Sequence, residues 1–211
     1  MSYLKFIILS LLLVGISSCY KEVELPTNPD VVFELRVTPE MQEFIYNSRD
    51  TSYTIDEAGM EFLLGTEPLK LKEIKTRGKS ALRYQRKSFA VVLEEALDIS
   101  GRNGFDIANL RRFKLISMAM DYTYIENRIG LGILETQGIM PLFYRFVELK
   151  INGETQGIYL LVEDPEQYYL EHSSEFILRR GYYNSFADVE YSPSYPGIPR
   201  ESYELRFKEI Y

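Results

Sequence analysis

Few side chains in this sequence can carry chemistry, and their scarcity narrows the choices. Cys19 is the one cysteine and His172 the one histidine. Zinc clusters and Cys–His nucleophile pairs are therefore excluded. His172 lies in a polar stretch and reads as a surface residue. Gly78-Lys79-Ser80 ends like a phosphate-binding loop, but that motif needs a glycine five residues earlier, where Glu73 stands. What remains is a pair of cationic segments, Arg77-Gly78-Lys79-Ser80 and Arg86-Lys87-Ser88-Phe89. A glycine turn between two strands can present amide N–H groups to phosphate oxygens. A lysine at the mouth of the next strand can reach the same oxygens as a point charge. The same residues also fit a plain hairpin turn and an exposed edge lysine.

The elements that must position these groups are read from periodicity. Val31 to Val37 is β-branched enough for a strand. Thr38-Pro39 then supplies an N-cap and a first-turn proline for a short helix with Met41, Phe44 and Ile45 on its apolar stripe. Strands are predicted near Ser52 to Ile55, Glu61 to Leu64, Leu69 to Thr76, Lys87 to Leu93 and Phe113 to Met118. A loop is predicted over Asp98 to Asn109. Tyr122, Ile125, Ile129, Ile133 and Leu134 have helical spacing, and Gly138 stands where a C′ glycine would end the helix. Asn152-Gly153 between two alternating runs predicts a type I′ hairpin. A short helix over Pro165 to His172 and strands over Glu175 to Arg179 and Tyr203 to Phe207 complete the reading. The expected fold class is α+β, a mainly antiparallel sheet with one main helix.

The first residues address the compartment. Lys5 is followed by an apolar run from Phe6 to Val14, too short to span a bilayer and suited to a signal peptide. Ile16-Ser17-Ser18-Cys19 resembles a bacterial lipobox, in which the cysteine thiol is lipidated. Lipidation also consumes a lone thiol that would be a liability in an oxidising compartment. The expected organisation is a signal peptide over 1–18, a lipidated Cys19 and tether over 19–30, and a domain over 31–211. The expected location is the cell envelope, with the protein lipid-anchored and facing the periplasm or the cell exterior. A net charge of −7 and the lack of a basic stripe argue against nucleic acid as a partner. The hydrophobic content of 45% is ordinary for a folded protein, and 14% aromatic content argues against disorder.

Several short segments, in order, resemble the CotH kinase family of atypical kinases. They are Arg77-Gly78-Lys79-Ser80, Arg86-Lys87-Ser88-Phe89, Asn127-Arg128, Arg145-Phe146-Val147-Glu148-Leu149 with Asn152-Gly153-Glu154, and the strand Gln156 to Glu163. Phe176 to Arg180 and Tyr203 to Phe207 continue the series. The resemblance implies a protein-kinase-like N-lobe and, as cofactors, ATP and Mg²⁺. It implies that Arg77, Gly78 and Ser80 cover the nucleotide and that Lys87 pairs with its phosphates. Glu126 or Arg128 would orient Lys87 or the phosphates, and Glu163 would lie at a hinge beside the adenine. The family's catalytic and metal-binding aspartates would lie beyond Tyr211, so the catalytic lobe is expected to be absent and the chain inactive alone. The implied activity of a complete kinase is transfer of ATP phosphate to a protein Ser or Thr. The alternative is a non-catalytic surface lipoprotein that binds a glycan or a protein partner, with Tyr182 and Tyr183 on its platform.

Overall fold

The computed structural model describes residues 31–49, 59–78, 80–99, 107–139 and 142–172, with 178–179, 190–191 and 201. The predicted signal peptide, lipobox and tether, the strands at Ser52 to Ile55 and Tyr203 to Phe207, and Tyr182 and Tyr183 lie outside the described residues.

Alternating side chains build the strands. In β1 (Val32–Arg36) Phe33 and Leu35 are buried while Val32 and Glu34 are only half-covered. Similar alternation marks β4 (Leu71–Arg77) and β7 (Tyr144–Ile151), and the other strands are β2 (Glu61–Leu64), β3 (Glu67–Leu69), β5 (Ser88–Ile99), β6 (Ile107–Ile116) and β8 (Glu154–Glu163), the last buried along its whole second half. These form one eight-stranded sheet in the order β3-β2-β1-β7-β8-β6-β5-β4. All neighbours are antiparallel except β1 and β7, which pair in parallel with Val32 opposite Glu148 and Leu35 opposite Ile151. Two short strands, β9 (Leu178–Arg179) and β10 (Glu190–Tyr191), pair separately.

The two edge strands, β3 and β4, are separated only by Lys70, so the chain turns a corner there and the sheet nearly closes on itself. Phe33 shows the curvature directly. Its ring stacks on Phe62 of the neighbouring β2 at 5.3 Å, and it also meets Phe113 of β6, three places along the sheet, at 5.7 Å. Such a contact crosses an interior. Ile74, Phe89, Val91, Leu115, Val147 and Leu161 fill the same space. Each buried side chain of this size contributes roughly 1.5–3 kcal/mol, and eight strands make an interior just wide enough for side chains to fill.

This architecture corrects the expected α+β, kinase-like N-lobe with one main helix. The described residues form a mostly β, nearly closed barrel with three α-helices outside the sheet or at its end. The inward residues of seven strands converge on a single interior, which a flat sheet backed by one helix would leave open. The predicted loop at Asp98 to Asn109 is also shortened: β5 runs on to Ile99 and β6 starts at Ile107.

Helix α1 (Pro39–Asn47) plugs one end of the barrel with the fully buried Ile45. Thr38 caps it as read, its hydroxyl accepting from the Met41 N–H at 3.3 Å. The β7–β8 turn fastens the helix. Asn152 and Gly153 both have positive φ, as a type I′ turn needs, and the Asn152 side chain accepts from Val37 N–H and donates to Gln42.

Helix α2 (Glu126–Thr136) lies on the outer wall. Its Leu131 packs with Ile116, Tyr144, Phe146, Leu160 and Val162. Its first turn is held by Asp121, whose carboxylate accepts from the Thr123 hydroxyl at 2.7 Å, the Thr123 N–H at 3.0 Å and the Glu126 N–H at 2.8 Å. Burial pushes the Asp121 carboxyl up, but these bonds outweigh it and hold the group below its ordinary range. The anion is therefore favoured by folding, and its stabilising contribution is lost as pH falls through that depressed value. Asp121→Ala is expected to speed amide exchange at Glu126 and Asn127 while leaving the barrel strands protected. Unchanged exchange there would refute the capping role.

Helix α3 (Pro165–His172) follows β8 and places Gln167 against β6. Among the described residues no helix is long and apolar enough to cross a membrane.

Candidate functional site

The Arg77–Lys87 segment joins β4 to β5 at the barrel end that α1 plugs. Arg77 pairs with Ser88 in the last rung of the β4–β5 ladder. Gly78 follows in an exposed turn with φ of 95°, a conformation that favours glycine. A Cβ there would also sit 3.2 Å from that of Ala81. Ser80 is exposed and precedes a single 3₁₀ turn, Ala81–Arg83, whose Leu82 is buried. Lys79 lies outside the described residues.

Lys87 is not the exposed edge lysine that one reading of the sequence allowed. It shares the inward parity of Phe89 and Val91, and only 2% of its surface is exposed. Its ammonium donates to the carbonyls of Ser48 and Leu82, each at 2.6 Å. Lys87 thus ties the end of α1 to the 3₁₀ turn. Desolvation first, and the nearby Arg49 charge second, lower its pKa. Beside it Ser88 and Ser117 bond across β5 and β6, with Ser117 N–H donating to the Ser88 hydroxyl at 3.0 Å.

Arg86 carries a cluster that sequence reasoning missed. Its guanidinium donates to the Tyr124 hydroxyl at 2.8 Å and to the Ile158 carbonyl at 2.6 Å. It also lies over the rings of Tyr124 and Tyr159, 5.7 and 5.1 Å from their centroids. Its buried Nε has no hydrogen-bond partner among the described residues. Gly157, beside the guanidinium, has φ of 84°, a conformation that favours glycine. Burial pushes the Tyr159 hydroxyl up to about 12 even though Arg86 pulls the other way. The only sequence trace of this cluster is the arginine preceding Lys87. Its partners lie 38 and 72 residues downstream.

The remaining residues are not gathered here. Arg128 lies on the outer wall, 5.5 Å from the Phe146 ring centroid, so the sheet separates it from the inward-facing Lys87. Glu163 pairs with Phe113, four positions along β6 from Ser117, a separation of roughly 13 Å at 3.3 Å per residue. It is buried, and its carboxylate accepts from the Phe143 N–H at 3.1 Å. Arg77, Gly78, Ser80 and Lys87 therefore share one barrel end, while Glu163 belongs to the other.

A family model described as CotH kinase protein matches residues 74–209, so the chain belongs to the CotH kinase family. No curated protein matches the chain. The family suggests dependence on ATP and a metal in general terms. Among the described residues no three acidic, imidazole or thiol side chains converge to hold a metal ion.

Proposed function

We propose that this chain is a CotH-family lipoprotein held at the cell envelope by acylated Cys19, and that the Arg77–Lys87 end of its barrel receives the phosphates of ATP. The observation that carries the nucleotide reading is the position of the family match, which begins at Ile74 and so takes in the whole exposed turn. Arg77 and the turn amides are the groups that meet the phosphates. Lys87 contributes only by exchanging one of its two carbonyl partners for a phosphate oxygen, and charge-assisted bonds of that kind outweigh neutral ones. The reaction served is the family's phosphate transfer to a protein Ser or Thr hydroxyl, and no carboxylate of this chain is assigned to it.

Titration of the full chain with Mg·ATP tests this. Saturable binding, weakened about tenfold or more by Arg77→Ala as expected for one lost charged hydrogen bond, is the expected result, with the melting temperature unchanged. No saturable binding would overturn it in favour of the non-catalytic surface lipoprotein that binds a glycan or a protein. One observation favours that second reading: the Lys87 ammonium already has two carbonyl acceptors.

A further inference from the structure

Helix α2 carries apolar groups on both faces. Leu131 packs on the sheet, and on that side Arg128 lies over Phe146 and Glu135 accepts from the Tyr144 hydroxyl at 3.0 Å. Its isoleucines face away, with Ile129 54% and Ile133 57% exposed. Ile125 at one end and Ile139 beyond the other extend the stripe, and Tyr122 is 92% exposed just before it. The helix spans roughly 16 Å at 1.5 Å per residue. On its outward face the one charged side chain is Glu126, in the first turn. A row of large apolar groups this long, rimmed by polar ones, marks a contact surface.

The topology indicates which surface it meets. The chain enters the sheet at Val31, whose carbonyl accepts from the Glu148 N–H at 2.9 Å. That point is one strand spacing, about 4.8 Å, from β7. It lies two residues from Phe146, the ring under Arg128. Val31 therefore stands beside the wall that α2 covers. Eleven residues separate Cys19 from Val31. A chain of that length has a root-mean-square span of roughly 20 Å. An acyl anchor at Cys19 would bring this edge of the sheet, with α2 on its outer wall, within that distance of a bilayer, while α1 sits at the far, C-terminal end of β1.

We infer that the isoleucine stripe of α2 lies on the lipid surface, its side chains entering the headgroup–acyl boundary of zwitterionic lipid. The inference rests on the lipid-anchor reading of Cys19. The acyl chains supply the affinity and the stripe sets the orientation, laying the outer wall of β7 and β8 toward the membrane and leaving the opposite wall and the barrel ends free. Lipid takes up the exposed apolar area without asking for a complementary charge, and the helix offers no cationic face to attract anionic headgroups.

The chain contains no tryptophan, so a single introduced one reports its own surroundings. The acylated full chain is reconstituted in phosphatidylcholine vesicles whose acyl chains carry bromine, with Ile129→Trp or Ile133→Trp as reporter and Phe44→Trp on α1 as reference. Flotation with the vesicles reports the anchor; quenching reports the helix. The expected result is flotation with quenching several-fold stronger at 129 and 133 than at 44. Flotation with equal, weak quenching at all three positions would overturn the inference and leave the anchor standing. Blue-shifted but unquenched emission that grows with surface density would assign the stripe to a second copy, and the same emission independent of density to another part of the chain. Either result overturns the lipid contact. Loss of flotation would remove the anchor and the inference together.

Discussion

Lys87→Ala is expected to destabilise the protein by about 2–4 kcal/mol. The part-buried carbonyl of Ser48 and the buried carbonyl of Leu82 would both lose this donor, at about 1–3 kcal/mol for the buried one and less for the other. A cavity would open where the lysine stem packs, and removal of a desolvated charge offsets part of both costs. Lys87→Met restores the packing and should recover part of the loss. The charge itself has a pH signature. Because desolvation and then Arg49 lower the folded-state pKa, the native protein releases this proton before the unfolded chain does. Between that lowered value and the ordinary lysine value of 10.5 the unfolded state holds more protons, so stability contributed by this site rises with pH. Denaturant unfolding of wild type and Lys87→Met, compared across the alkaline range, should show the rise in the wild type alone. Parallel curves would mean that the ammonium is not desolvated.

Gln167→Leu is expected to cost a similar amount, about 2–4 kcal/mol, at the other end of the barrel. The buried Gln167 side chain is a clamp on β6: its carbonyl accepts from the N–H groups of Arg111 and Arg112 at 2.8 and 2.6 Å, and its amide donates to the Asn109 carbonyl at 2.7 Å. Asn109 has φ of 71°, so the strand is irregular there and its backbone groups turn to the side chain. Leucine fills the volume and satisfies none of the three. Gln167→Glu keeps the acceptor for both N–H groups and loses the donor, so it should recover roughly half of the loss. Melting temperature ranks the variants, and amide exchange at Arg111 and Arg112 shows whether the clamp is the cause. Slow exchange at those two amides in Gln167→Leu would rule it out.

Much of the local structure was legible in the residues. Thr38-Pro39, Asn152-Gly153 and Gly138 act where their backbone chemistry places them, and alternation about the Asn152-Gly153 turn located β7 and β8. Closure of the sheet was not legible. It depends on a corner at Lys70 between two short strands and on Phe33 meeting Phe113, eighty residues along the chain. Periodicity reports that a strand has two faces and is silent on whether the sheet returns to itself. Helix α2 shows the same limit: the spacing of Ile125, Ile129 and Ile133 defines a stripe, and the spacing alone does not say whether the stripe faces in or out. Of the candidate site, the exposed turn at Gly78 was legible. The burial of Lys87 was not, because its acceptors are main-chain carbonyls that carry no residue-specific mark. Glu163 went to the opposite end because strand length, rather than residue type, sets its distance from Lys87.

The parallel pairing of β1 with β7 also sets the order of events as the chain is made. β1 is the first strand to emerge, yet one of its two neighbours comes more than a hundred residues later. Its other neighbour, β2, can join early as a hairpin-like pair, but two such strands are marginal in water. A nascent chain therefore keeps the edge of β1 open until Tyr144–Ile151 appears, and loop-closure entropy makes that late joining slow. The barrel has no early folded core, and its completion waits on the arrival of the β7–β8 hairpin.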